Sequence, residues 1–163
     1  MTTRNRAFLI APIPALLIAD PSVESRRIST EDFDGLAQLF LDAYAGSVDD
    51  EGETLVEAHA EIRRLLRGEL GEPRRSEWRG IHDDDGSLVS AILCTTYKST
   101  PFVTHLMTKP SFRQRGHATS LIREVAASVY ATGGTAMGLM VTRENPAMHL
   151  YLELGFQEMF SPV

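Results

Sequence analysis

Two arginines, a glycine and a small residue lie close together in the run Arg113-Gln114-Arg115-Gly116-His117-Ala118. The apolar and β-branched residues 102–108 before this run predict a buried strand, and the residues after it have apolar positions at helical spacing. A turn from a strand into a helix leaves the first N–H groups of the helix without intrahelical partners. Those donors, the helix dipole and the guanidinium groups together favour an anion, best a phosphate.

A second pattern lies downstream, between Val141 and Phe156. Asn145 is a good helix N-cap, and Pro146 suits the first turn because its missing N–H is not needed there. Residues 147–154 then form a short helix, and Gly155 supplies the left-handed residue that ends it.

Together the two runs resemble the GNAT superfamily of acyl-CoA-dependent N-acyltransferases. The first matches that family's pyrophosphate loop, (R/Q)-x-x-G-x-(G/A), and residues 106–112 resemble its L-x-V-x-P-x-(Y/F) strand end. The second resembles the pattern V-x-x-x-N-x-x-A-x-x-L-Y-x-x-x-G-F, with Asn145 one residue closer to Tyr151 than in the longer variant. Glu144 is the alternative for the asparagine position, and Asn145 is preferred because it explains Pro146. The resemblance covers roughly residues 24–160.

The resemblance implies an α/β fold of the GNAT type, a mixed and mostly antiparallel sheet flanked by helices. The sheet should be splayed between the strands that end at Thr108 and Thr142. Acetyl-CoA is implied as the co-substrate, with no metal. The pyrophosphate would lie on the loop, and the pantetheine arm would pair with the strand end and contact Asn145. The implied cofactor-binding residues are Leu106, Met107, Thr108, Arg113, Gln114, Arg115, Gly116, His117, Ala118 and Asn145.

The implied reaction moves an acetyl group from acetyl-CoA to a primary amine, of a small molecule or of a protein N-terminus or lysine, by direct attack on the thioester. Tyr151 aligns with the general acid that protonates the thiolate, and a phenol is protonated at neutral pH as that role requires. A tyrosine that only packs is the alternative. The family's base, a glutamate or histidine, would fall at Phe102 or Thr104, which cannot serve. A non-catalytic module that binds CoA or a partner is therefore the alternative function.

The histidines offer no obvious replacement for that base. Strand alternation places His105 on the opposite face from Thr104 and Leu106, where we expect a hydrogen-bonded structural histidine. His117 and His149 are expected at the solvated surface. A water chain to an acidic side chain, or an amine that arrives neutral, stays open. The histidine and cysteine spacing indicates no metal site.

Charged stretches border the region where the family's acceptor pocket lies. The acidic run 49–53 falls between the first two predicted helices and could attract an ammonium group, although we favour a solvated loop. The arginines between residues 63 and 75 could instead receive an acidic acceptor or the nucleotide's 3′-phosphate, but most are expected to face solvent.

The whole chain has the composition of one soluble globular domain, with 163 residues, 43% hydrophobic and 23% charged. Its net charge of −6 argues against general nucleic-acid affinity. The single cysteine, Cys94, lies in an apolar run and is expected in the core of a cytoplasmic, reduced protein. A membrane partner is not expected, and a homodimer stays open.

The N-terminal residues resemble the charged and apolar parts of a secretory signal. However, the apolar run 8–19 is too short to span a bilayer, Pro12 and Pro14 would break it as a helix, and Asp20-Pro21 follows it. We expect residues 1–23 to form an arm or extra strand, and residues 24–163 the GNAT-like domain. Only seven residues follow Phe156, so we expect a short C-terminus whose exposed sheet edge the arm covers.

The remaining elements follow from local patterns. A first strand is predicted at 24–28, a helix from Ser29 or Thr30, and a second helix that starts with the capping box Thr54-x-x-Glu57. Strands at 78–81 and 88–97 flank an aspartate-rich turn and predict a hairpin, and a further strand is predicted at 136–142.

Overall fold

The computed structural model describes residues 5–19 and 22–159, and one mixed sheet runs through them. Its strands are β1 (Arg6–Pro12), β2 (Arg26–Arg27), β3 (Glu72–Pro73), β4 (Arg79–His82), β5 (Leu88–Tyr97), β6 (Thr100–Thr108), β7 (Ala136–Thr142) and β8 (Gln157–Glu158). The helices are α1 (Ile13–Leu16), α2 (Phe33–Tyr44), α3 (Leu55–Leu66), α4 (His117–Ala131) and α5 (Ala147–Leu154). The Asp20-Pro21 step and the ends of the predicted arm and C-terminus lie outside the described residues.

The strand order is β2-β4-β5-β6-β7-β1-β8, with β3 paired beside β5. Every pair is antiparallel except β6 with β7, so the mixed, mostly antiparallel α/β fold is confirmed. Strand β7 and helix α5 have the predicted bounds, 136–142 and 147–154. The strand predicted at 24–28 corresponds to β2, which is shorter. Cys94 is buried as expected, and no helix of the described residues is long and apolar enough to cross a membrane.

The starts of α2 and α3 are capped by their own sequence. A short 3-10 turn, Thr30–Asp32, leads into α2, because the Asp32 carboxylate accepts a hydrogen bond from the Ser29 N–H at 2.8 Å. The Thr54 hydroxyl accepts from the Glu57 N–H at 3.2 Å and starts α3 where the capping box predicts it.

The predicted splay between β6 and β7 is confirmed. The two strands are paired only at Phe102 with Gly138 and at Val103 with Leu139, close to their starts. Towards Thr108 the β7-facing edge of β6 is therefore left without a strand partner, while β5 pairs along its other edge. A cleft opens at this point.

The N-terminal strand covers the far edge of β7. It pairs from Arg6 opposite Thr142 to Pro12 opposite Ala136, and β8 pairs with its outer side. Alternate residues of β1 are buried, as the pleat of a half-covered strand requires. Residues 6–12 therefore form a strand along the edge of β7.

Candidate active site

A cleft of about 1570 Å³ lies where β6 and β7 separate. The end of β6, the loop before α4, the start of α5 and the α2–α3 connection form its wall. All but one of the predicted site residues border it, namely Leu106, Met107, Thr108, Arg113, Gln114, Gly116, His117, Ala118, Asn145 and Tyr151. Arg115 does not.

The loop before α4 is folded tightly by two residues with left-handed backbone, Gln114 at φ 61° and Gly116 at φ 80°. Glycine adopts this conformation without steric cost, whereas glutamine there is uncommon for a residue with a side chain. The helix begins at His117, so the N–H groups of its first turn lie at the cleft wall and are not used by the helix. A Cβ on Gly116 would approach the Ser22 hydroxyl to 3.0 Å.

The two arginines of the loop have different surroundings. Arg115 does not border the cleft, and its guanidinium group stacks over the Phe112 ring, 5.0 Å from the centroid. Arg113 borders the cleft, but its guanidinium donates to the Ala43 carbonyl at 2.6 Å and to the Thr108 carbonyl at 3.3 Å. It therefore fastens the loop to α2 and β6 as well as adding positive charge.

His117 is buried, so the expectation of a solvated histidine is wrong at this position. The first turn of α4 packs its imidazole edge-on to Phe112, with centroids 6.0 Å apart. Burial, and then the charge of Arg115, lowers the pKa of His117, so the ring is neutral at pH 7. His149 is exposed as expected.

Tyr151 lies on the inner side of α5 with only 8% of its surface exposed. Its ring packs against Phe156 at 5.9 Å, and the residue also borders the cleft. Burial, followed by the charge of Asp49, raises the pKa of Tyr151 to about 12. The side chain is therefore a phenol with a proton to donate throughout the physiological pH range.

Asp49 ties the α2–α3 connection to the far side of the cleft. Its carboxylate accepts hydrogen bonds from the Thr142 hydroxyl at 2.7 Å and from the Asn145 amide at 3.2 Å, a contact we call the Asp49 clasp. Asn145 also accepts from the Ala147 N–H at 2.9 Å, which supports the predicted capping role. The solvated loop expected at 49–53 thus describes the exposed Asp50 but not Asp49.

A β-bulge in β6 interrupts the alternation between Thr104 and His105, on which part of the expected orientation of His105 depended, while His105 and Leu106 still alternate. Leu93 of β5 faces His105 while Cys94 faces Val103, so Thr104 is the extra residue, and its hydroxyl donates to the Leu93 carbonyl at 2.8 Å. Counting alternate residues fails across such a bulge. His105 borders the cleft together with its neighbours Thr104 and Leu106.

His105 is hydrogen-bonded, as expected, through Nδ1, while its buried Nε2 has no hydrogen-bond partner among the described residues and lies within ion-pair distance of a carboxylate. Its Nδ1 lies 3.3 Å from the Tyr44 hydroxyl of α2, and its Nε2 lies 3.4 Å from Glu61 Oε1 of α3. Neither Tyr44 nor Glu61 was singled out from the sequence as a site residue. The available signal was a carboxylate on the same stripe as the buried Ala58 and Leu65.

The profile of the family described as FR47-like protein, which is related to the GNAT enzymes, matches residues 80–162, just over half of the chain. The chain belongs to the GNAT superfamily. No curated protein matches it in sequence.

Solved structures share this GNAT fold at low sequence identity. A GCN5-related N-acetyltransferase from Sphaerobacter thermophilus has a TM-score of 0.71 and 15% identity, over 98% of this chain and 50% of that one. The PaiA N-acetyltransferase from Thermoplasma acidophilum, solved with coenzyme A, has a TM-score of 0.65 and 20% identity, over 86% and 93% of the two chains. A conserved Staphylococcus epidermidis protein has a TM-score of 0.70 and 12% identity, over 94% and 57%. The chain thus spans about half the length of two of these relatives.

Two of the arginines between residues 63 and 75 have carboxylate partners within the chain. Arg74 forms a salt bridge with Glu77 at 2.6 Å, and Arg64 bonds to Glu61 at 2.9 Å. Among the described residues, no group of three or more histidine, cysteine, aspartate or glutamate side chains could hold a metal ion.

Proposed function

We propose that the chain is an acetyl-CoA-dependent N-acetyltransferase that acts on a primary amine. One observation carries the proposal: three parts that such a reaction needs meet at one cleft. They are a helix start behind a glycine turn, a strand edge without a strand partner, and the buried phenol of Tyr151. Each has a separate chemical task.

The cofactor side is supported by the shape of the backbone. Gly116 leaves its side of the loop free of a Cβ, so a pyrophosphate can approach the N–H groups at the start of α4. Residues 106–108 would pair with the pantetheine arm as an added strand, because β7 has already diverged from them. Bound acetyl-CoA would supply the activated acyl group there.

Asn145 has one task already and capacity for another. Its amide donates one hydrogen to Asp49, and its carbonyl accepts from the start of α5. A side-chain amide carries two hydrogens, so the second remains for the pantetheine arm.

The bond-making step needs two further contributions from the chain. The amine nitrogen attacks the thioester carbonyl carbon, and backbone N–H groups of β6 would stabilise the oxygen that becomes negative. When the C–S bond breaks, the sulfur takes the proton of the Tyr151 hydroxyl. The raised pKa of Tyr151, about 12, keeps that proton in place until it is needed.

The acceptor side is rich in carboxylates, which supports a cationic amine as the acceptor. Acidic residues from the α2–α3 connection, from α3 and from the start of α5 border the cleft: Asp49, Glu51, Glu53, Glu57, Glu61 and Glu144. Their combined field raises the local concentration of an ammonium group. A small amine and a protein amine both fit this description.

The experiment combines binding with turnover. Coenzyme A is titrated calorimetrically, and thiol release from acetyl-CoA is followed across a panel of small primary amines and lysine peptides. We expect CoA binding, thiol release with at least one amine, and a loss of kcat of about 100-fold or more in Tyr151→Phe. Tyr130→Phe, an exposed tyrosine of α4 outside the cleft wall, is the matched control.

The alternative, a CoA-binding module without catalysis, predicts a different pattern. Coenzyme A would bind, no amine would yield thiol above the rate without protein, and Tyr151→Phe would change nothing. Failure of CoA to bind the folded protein would reject both functions.

A further inference from the structure

We propose that His105, oriented by Glu61 and reached through the Tyr44 hydroxyl, takes the proton from the attacking amine. The inference rests on the proposed function. It names a general base, because Phe102 and Thr104 stand where the family's base would fall and neither can serve. Three elements that are far apart in sequence bring these side chains together, and all three residues border the cleft.

The orientation of the imidazole follows from its two neighbours. His105 Nε2 is buried, has no hydrogen-bond partner in the described part of the chain and lies 3.4 Å from Glu61 Oε1, so a proton on Nε2 would lie next to a carboxylate. The contact with His105 lowers the pKa of Glu61, and this effect outweighs the opposing effect of burial. Glu61 is therefore ionised at neutral pH. The pair favours the Nε2–H tautomer and leaves the lone pair on Nδ1.

Tyr44 completes the path on the other side of the ring. Its hydroxyl lies 3.3 Å from His105 Nδ1. Burial raises the pKa of Tyr44, and the charges of Tyr151, Asp49 and Glu61 raise it further. A phenol that keeps its proton donates to the free lone pair of Nδ1. The tautomer preferred by Glu61 and the one preferred by Tyr44 are the same.

The ring is held in place by packing. Phe40 and Tyr44 of α2 contact it edge-on, with centroids 5.5 and 6.3 Å away. The charged groups that act near it are Glu61 and its partner Arg64 on α3, and Asp49 and Arg6 through Tyr44. The β6 bulge at Thr104 turns His105 towards this set.

The protons balance along this route. The substrate ammonium gives one proton to the Tyr44 oxygen as Tyr44 passes its own to His105 Nδ1. The neutral amine then forms the C–N bond to the acyl carbon, the C–S bond breaks, and Tyr151 gives its proton to sulfur. The second proton lost from nitrogen restores Tyr151, and His105 releases its proton to solvent. The products are the amide, the thiol and one proton.

The first measurement reads the tautomer without any substrate. Two-bond ¹H–¹⁵N spectra of histidine-labelled protein report which ring nitrogen carries the proton, and His105→Gln assigns the signal. We expect His105 with its proton on Nε2, and a loss of that preference in Glu61→Gln. A proton fixed on Nδ1 would overturn the proposal, whether or not any amine is turned over.

The second measurement is kinetic and uses the amine that gives most thiol. His105→Gln should lower kcat at pH 7 about 100-fold while the Kd for coenzyme A is unchanged. The deficit should shrink as the pH rises and the amine arrives neutral, and added imidazole should partly restore His105→Ala. Tyr44→Phe should show the same pH dependence, because the relay is broken before the ring.

Glu61 acts through His105 and is a positioning residue, so Glu61→Gln should lower kcat about 10-fold with little change in KM. His149→Gln and Glu153→Gln, both exposed on α5, are the controls. Melting temperatures check folding. A well-folded His105→Gln protein with the kcat and pH profile of the wild type overturns the proposal. If the wild type releases no thiol, the proposed function fails, and the tautomer measurement still decides the protonation geometry inferred here.

Discussion

The two halves of the cleft are built in different ways. The half assigned to the cofactor uses one continuous stretch, from the end of β6 to the start of α4, and offers mainly backbone groups. The acceptor half uses Tyr44, Glu61 and His105, which come from α2, α3 and β6. Every residue type except proline offers the same backbone donor, so a backbone site can be detected in a sequence only through the glycine and small residues that leave space for the ligand. Side chains that come from three separate elements form no local sequence motif.

The largest expected effect tests the backbone half. Gly116→Val places a β-branched side chain at φ 80° and in the path of the pyrophosphate, so the Kd for coenzyme A should rise on the order of 100-fold. The left-handed backbone also makes this variant strained, and its Cβ would lie 3.0 Å from the Ser22 hydroxyl, so its melting temperature should fall as well.

A matched glycine separates the two contributions. Gly86 has φ 83° in the β4–β5 turn and nothing within 4 Å of its Cβ position, so Gly86→Val carries similar strain away from the cleft. If the melting temperature falls equally in Gly86→Val and Gly116→Val but only Gly116→Val loses CoA affinity, the loss of affinity is due to the phosphate contact and not to backbone strain. Wild-type affinity in a folded Gly116→Val protein would show that this loop does not hold the pyrophosphate.

The second effect concerns Tyr151, which stands where the two halves meet. Its pKa is raised to about 12 in the folded protein, so between pH 10 and 12 the unfolded chain loses the proton first. The free energy of unfolding should therefore fall as pH rises through this window, by about 2 kcal/mol from this residue. Urea titrations at pH 9 and pH 11.5 should show a smaller fall in Tyr151→Phe than in wild type. An equal fall in both proteins would mean that the phenol is not buried as described.

The third effect addresses the Asp49 clasp, which joins the halves. Asp49→Asn removes one negative charge and cannot accept well from both Thr142 and Asn145, so the clasp should loosen. We expect KM for the amine to rise about 10-fold, with a smaller change in CoA affinity. Glu144→Gln, which removes an exposed carboxylate that also borders the cleft, is the control. Equal effects of the two variants would assign the change to net charge instead of to the clasp.

The smallest effect distinguishes the two arginines of the loop. Arg113→Ala removes a guanidinium that borders the cleft and bonds to Ala43, so CoA affinity should fall about 5-fold, roughly 1 kcal/mol. Arg115→Ala removes a guanidinium that stacks on Phe112 and does not border the cleft, so the CoA affinity should change less than 2-fold. Calorimetry with coenzyme A measures both. A larger loss in Arg115→Ala would show that both arginines contribute to cofactor binding, as the sequence predicts.

What the sequence could predict follows the same division. Strand β7, helix α5 and its capping by Asn145 depend on neighbouring residues, and they lie where the patterns placed them. The burial of His117 and the orientation of His105 depend on packing and on a bulge in strand pairing. A bulge is a property of two strands together, so the alternation within β6 alone could not reveal it.

Strand β1 has a consequence for the order in which the protein assembles. It leaves the ribosome more than 120 residues before its register partners, which run from Ala136 to Thr142. Closing so long a loop is entropically unfavourable until the intervening elements have collapsed, so this strand should be among the last to dock. Until then its apolar residues are open to chaperones or to other chains, and folding yield should depend on protein concentration more than stability does.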